Sequence, residues 1–107
     1  MTTWFITRHP GARDWASRHQ LKVDRWVAHL DISEICAGDV VMGSLPVNLA
    51  AAVCARQARY LHLSLELPAE ARGRELSADE LDRFDAQLQG FEVWPTAAGN
   101  SPGAHQP

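Results

Sequence analysis

The chain holds a single lysine among its ten basic residues, two cysteines in 107 residues, and no apolar run long enough to cross a bilayer. Each shortage excludes something. Cys36 and Cys54 lie far apart with no C-x-x-C spacing, so a disulfide framework or zinc ribbon is not expected, and both read as buried reduced thiols. No set of His, Asp and Glu has metal-ligand spacing, so any chemistry is expected to need neither metal nor other cofactor. Met1 to Ile6 carries no basic segment and no long apolar run, so no signal peptide is expected and the compartment reads as cytoplasmic, with no membrane partner. A net charge of -3 speaks against a surface coated in nucleic acid, and no DNA partner is expected.

What is present is ordinary for a folded domain: 46% apolar and 21% charged residues. At this length there is room for one core, placed in residues 1–94. Residues 95–107, rich in Pro, Gly, Ala, Ser and Gln, read as a disordered tail. So small a core fits a homodimer that covers further apolar surface. Nine of the ten basic residues are arginine, the side chain suited to bidentate recognition of phosphate.

Thr2 to Thr7 is β-branched and aromatic and reads as a first strand, broken by Arg8-His9-Pro10-Gly11. A helix is expected from Ala12, with Asp14 and Arg18 as an i,i+4 pair. Arg25 to Leu30 reads as a second strand, and Asp31 with Glu34 as a capped short helix closed by Gly38. Asp39 to Gly43 reads as a central parallel strand, followed by an apolar helix over about Pro46 to Gln57. Tyr60 to Leu67 alternates, with Leu61, Leu63, Leu65 and Leu67 on one face. Ser77 and Glu80 form a capping box for a helix with Leu81, Phe84 and Leu88 inward, ended by Gly90, and Phe91 to Trp94 reads as a last strand. The expectation is an α/β fold: a compact, Rossmann-like, mostly parallel sheet of four to five strands with helices on both faces.

Open sheets of this kind bind ligands at the carboxyl ends of their strands. That directs attention to three loops. In the first, Arg8 and His9 follow a strand and precede a helix, where free N–H groups favour an anion. Gly11 and Arg13 complete that candidate site. In the second, Gly43, Ser44, Leu45, Pro46 and Asn48 repeat the strand-to-helix geometry without the lysine of a Walker loop. In the third, Arg72 and Arg74 flank Gly73 and read either as an arm closing on phosphate or as solvated residues paired with Glu70 and Glu75. His19 and His29 read as packed or surface histidines. The residues alone point to an anionic, phosphate-bearing ligand.

Four segments resemble the Csx-sixteen family of small CRISPR-associated accessory proteins found with type III systems. They are Thr7-Arg8-His9-Pro10-Gly11-Ala12, Gly43-Ser44-Leu45-Pro46-Val47-Asn48-Leu49-Ala50, Leu61-His62-Leu63-Ser64-Leu65-Glu66-Leu67-Pro68 and Ala71-Arg72-Gly73-Arg74-Glu75-Leu76. The resemblance runs from Thr2 to Trp94. It implies a compact relative of the Rossmann-like CARF domains, acting as a homodimer with the site at the two-fold axis. It also implies a ring nuclease, which cleaves cyclic oligoadenylate, chiefly cyclic tetra-adenylate, and so switches off the antiviral response. Position and chemistry then assign a proton to His9 and phosphate charge to Arg8, Arg72 and Arg74. The N–H groups near Ser44 to Asn48 would hold a further phosphate. Two other functions are expected as alternatives: a sensor that binds the ring without cutting it, and a docking subunit of an effector complex.

Overall fold

The computed structural model describes residues 1–96 of the 107. In chain order the elements are β1 (Thr3–Ile6), α1 (Pro10–Arg18), β2 (Arg25–Val27), a 3-10 turn (Ile32–Glu34), β3 (Val40–Gly43), α2 (Val47–Ala55), β4 (Arg59–Ser64), a second 3-10 turn (Ala69–Ala71), α3 (Ala78–Arg83) and β5 (Gln87–Phe91). They form one sheet of order β2-β1-β3-β4-β5. The first four strands run parallel and β5 is antiparallel to β4. This is the doubly wound, Rossmann-like arrangement that alternating strands and helices imply.

The sheet is covered on both sides because its strands carry apolar residues on both faces. Along β1, Phe5 points into a cluster with Ala12, Trp15 and Ala16 of α1 and Ala78 and Leu81 of α3. Its neighbour Trp4 points the other way, into a cluster with Ala50, Val53 and Cys54 of α2. All four residues of β3 are buried, as two-sided cover demands. Phe5, Ile35, Val41 and Val53 are the largest fully enclosed side chains, each contributing roughly 1.5–3 kcal/mol by burial. Phe5 also stacks on Trp26 of the edge strand, with ring centroids 4.8 Å apart.

The amino end of the sheet is tied by one buried carboxylate. Asp39 accepts hydrogen bonds from the backbone N–H of Thr2 (2.9 Å) and of Cys36 (3.0 Å), and from the indole N–H of Trp4 (3.2 Å). These bonds, the two backbone ones foremost, hold its carboxyl below the usual carboxylate range.

Several boundaries differ from the sequence expectation, each for a local reason. β2 ends at Val27, because β1, its only partner strand among the described residues, ends at Ile6 in the paired register; Ala28 to Leu30 is therefore loop. β4 ends at Ser64, after which Glu66 donates its N–H to the carbonyl of Phe84. α3 stops at Arg83 rather than running to Leu88, since Asp85 adopts a left-handed conformation (φ 59°). Leu88 then lies in β5 opposite Leu63, so the last strand is Gln87–Phe91 and not Phe91 to Trp94. Arg18 pairs with Asp79 (2.8 Å) and Asp82 (2.9 Å) of α3 instead of with Asp14. Both cysteines are free, but only Cys54 is buried; Cys36 is exposed at the turn that leads to Asp39. Pro95 and Thr96 belong to no helix or strand, and the remainder of the expected tail lies outside the described residues.

Candidate functional site

Strand order reverses between β1 and β3, because the chain moves from β1 outward to β2 and then back across to β3. The connections leaving β1 and β3 therefore diverge and open a crevice at their carboxyl ends. A cleft of about 590 Å³ occupies this place. Its floor is apolar, built from Phe5, Ile6, Leu45, Leu49, Leu63 and Leu65 among others. Its polar rim comes from three loops and the segment before α3: Thr7, Arg8 and His9 after β1, His29 after β2, Ser44 after β3, and Arg74.

Each loop is fixed by local bonding. Thr7 Oγ1 accepts the N–H of His9 at 3.1 Å, and His9 caps α1 through its backbone carbonyl, which accepts from Ala12. Pro10 follows at the first helical position, where its missing N–H costs nothing. The loop after β3 hangs on Tyr60, the only tyrosine of the chain. The Tyr60 hydroxyl accepts from Leu45 N–H (2.9 Å) and donates to the Gly43 carbonyl (3.1 Å), while His62 Nδ1 lies 2.5 Å away. Burial pushes the Tyr60 phenol above its ordinary range, so it stays protonated and able to donate. Ser44 Oγ donates to the carbonyl of Leu63 at 2.9 Å and joins the ends of β3 and β4.

Of the expected site residues, the cleft gathers Arg8, His9, Gly43, Ser44, Leu45, Pro46 and Arg74, and leaves out Gly11, Arg13, Asn48 and Arg72. Gly11 answers to packing: a Cβ there would stand 1.9 Å from the Leu76 carbonyl oxygen, so glycine lets α1 approach the segment before α3. Gly43 has φ +150° and would place a Cβ 2.7 Å from the Ile6 carbonyl oxygen, so close contact of β1 with β3 already requires it. Arg13 lies over the ring of Trp26, 5.0 Å from its centroid. Asn48 is exposed on the first turn of α2, and the N–H of Leu45 is taken by Tyr60 rather than left for a phosphate. Arg74 lines the cleft, but pairs with Glu80 at 2.6 Å, and not with Glu70 or with a Glu75 side chain. The Arg74 guanidinium, with the Ser77 N–H of the capping box, draws the Glu80 carboxyl down to about 2.

The arginines separate cleanly by partner. Arg13, Arg18, Arg25, Arg56, Arg74 and Arg83 each meet an aromatic ring, a carboxylate or a carbonyl. Among the described residues, the side chains of Arg8, Arg59 and Arg72 have no such partner, and of these Arg8 alone lines the cleft. An unpaired guanidinium over an apolar floor is an arrangement that favours an anionic ligand with a flat, weakly polar body.

Two residues escaped sequence reasoning. His29 lines the cleft, and the signal was its place directly after a strand, hidden by extending β2 to Leu30. Tyr60 gave only a strand pattern, since its reach to the loop after β3 depends on β3 and β4 lying side by side. Among the described residues, no group of three His, Cys, Asp or Glu side chains is placed to hold a metal ion, and no helix is long and apolar enough to cross a membrane. No curated protein and no solved structure matches the chain. Residues 4–94 match the family described as "Putative CRISPR-associated protein (Cas_VVA1548)", a span that holds the whole sheet except Thr3 and every residue of the cleft. The chain belongs to this CRISPR-associated family.

Proposed function

We propose that the protein is a ring nuclease of the Csx-sixteen type, acting in the cytoplasm on cyclic oligoadenylate and so turning off type III CRISPR signalling. The observation that carries this reading is the cleft at the β1/β3 switch point, with its apolar floor and the unpaired Arg8 and His9 on its rim. Adenine is flat and apolar on its faces and suits such a floor, while the phosphates suit Arg8. Family membership supplies the CRISPR setting, and the four segments described above supply the finer resemblance.

RNA brings its own nucleophile. The ribose 2′-oxygen attacks the adjacent phosphorus, forming a P–O2′ bond as the P–O5′ bond breaks. The products are a 2′,3′-cyclic phosphate and a 5′-hydroxyl, with no water consumed. The protein's part is to align the attack, stabilise charge on the phosphate oxygens through Arg8 and move a proton at His9. Two such cuts turn cyclic tetra-adenylate into two linear di-adenylates. A two-fold symmetric ring suits a homodimer that presents the same cleft twice.

The test is direct. Purified protein incubated with cyclic tetra-adenylate in EDTA is expected to give di-adenylate cyclic phosphates, resolved by chromatography. Tight binding with an intact ring would make the protein a sensor or sequestering module. No binding would make it a docking subunit. Sedimentation with and without the ring reads the dimer.

A further inference from the structure

We infer that His29 is a second proton-transfer residue of the cleft, sharing the reaction with His9; this rests on the ring-nuclease reading above. The described histidines divide into two pairs. His19 sits 2.6 Å from Asp82, and His62 sits 2.5 Å from the Tyr60 hydroxyl; neither lines the cleft. His9 and His29 both line it, and neither imidazole has a hydrogen-bond, ion-pair or ring partner among the described residues. They come from adjacent loops, since β1 and β2 are neighbours in the sheet.

The reaction needs two proton movements. The 2′-oxygen must lose a proton as it bonds to phosphorus, and the 5′-oxygen must gain one to leave as an alcohol rather than an alkoxide. One neutral imidazole and one imidazolium supply both, with no net change in protons. Among the described residues, the cleft holds no other candidate. Its remaining charged groups are Arg8 and Arg74, whose guanidinium groups are donors with no acceptor site to take up a proton, and Arg74 faces the Glu80 carboxylate besides. Among the described residues, no carboxylate, thiol, lysine or tyrosine lines the cleft.

The experiment compares the unaltered protein with His9→Ala and His29→Ala between pH 5 and 9. Two substrates are used: cyclic tetra-adenylate, and the same ring with sulfur replacing the bridging 5′-oxygens, whose thiolate leaves without protonation. On the oxygen ring, His29→Ala is expected to lower turnover about 100-fold and to abolish one limb of a bell-shaped pH profile. Affinity for a 2′-deoxy ring should stay within about threefold of the unaltered protein, because only proton transfer is lost. The sulfur ring should restore turnover in one histidine variant and not in the other, which identifies the acid. Turnover of His29→Ala within about threefold of the unaltered protein, with both limbs kept, would overturn the assignment. So would a loss in both variants that sulfur rescues in neither. An intact oxygen ring with the unaltered protein would instead sink the nuclease reading itself, and the role of His29 with it.

Discussion

The two ends of the sheet treat charge in opposite ways. At the amino end, the buried Asp39 is surrounded by donors and accepts three hydrogen bonds, two from the segment of β1 and one from the turn at Cys36. At the carboxyl end, Arg8, His9 and His29 face a cleft of about 590 Å³ with no side-chain partner among the described residues. A buried charge without partners would destabilise a small domain, so Asp39 is fully bonded. A solvated charge without partners costs the fold little. The amino end is built for stability, and the carboxyl end is where we propose the ligand binds. That division is testable, since variants at one end should leave the other property untouched.

The largest effect is expected from Asp39→Ala. It strands the N–H groups of Thr2 and Cys36 and the indole of Trp4, and should cost about 3 kcal/mol of unfolding free energy. Denaturant titration measures the loss, and turnover at concentrations where the variant is folded should be unchanged. The same carboxylate fixes a pH dependence. Its pKa is lowered on folding, so its contribution is fully present above the ordinary aspartate value of about 3.9. It is lost as pH falls through the lower folded value. Asp39→Asn should remove that part of the acid sensitivity, and a variant that melts in parallel with the unaltered protein from pH 6 downward would contradict it.

At the other end, Arg8→Ala should lower cleavage of cyclic tetra-adenylate about 100-fold, as loss of a phosphate-directed charge does. Its unfolding free energy should move by no more than about 0.5 kcal/mol, since the guanidinium makes no bond within the described fold. A comparable fall in stability would erase the contrast between the ends. Tyr60→Phe tests the boundary between the two. It keeps the buried ring but removes the bonds to Leu45 and Gly43, costing about 1 kcal/mol. Because the loop after β3 forms one wall of the cleft, ring affinity should weaken severalfold while the pH profile keeps its shape.

How much of this could be read beforehand follows the same line. The alternating strands and helices, the two-sided burial of Val40 to Gly43 and the Ser77–Glu80 capping box are local patterns, and all appear in the structure. The loop after β1 was visible for the same reason, because it is defined by one strand, one proline and one helix. What required three dimensions was pairing across the chain. That Asp39 serves Thr2 and Trp4, that Tyr60 pins Leu45, and that Arg18 leaves Asp14 for Asp79 and Asp82 are contacts set by sheet order and helix docking. Leu88 shows the limit from the other side. Its spacing from Leu81 and Phe84 fits a helix, and only the left-handed turn at Asp85 sends it into a strand.

Arg74 offers the smallest and sharpest test of the contrast. It lines the cleft, yet carries a partner in the manner of Asp39, because Glu80 lies 2.6 Å away. Glu80→Gln keeps a side-chain oxygen that can accept the Ser77 N–H of the capping box, but withdraws the negative charge from Arg74. If a missing internal partner is what makes a cleft cation available, Arg74 should then behave like Arg8. Affinity for cyclic tetra-adenylate should rise about threefold at low salt, and the gain should shrink as salt screens the phosphate. Arg72→Ala, altering a cation outside the cleft, should change neither affinity nor its salt dependence by a comparable amount. An affinity that falls in Glu80→Gln would mean that Glu80 holds Arg74 in its binding geometry. Charge pairing at the cleft would then serve the ligand instead of competing with it.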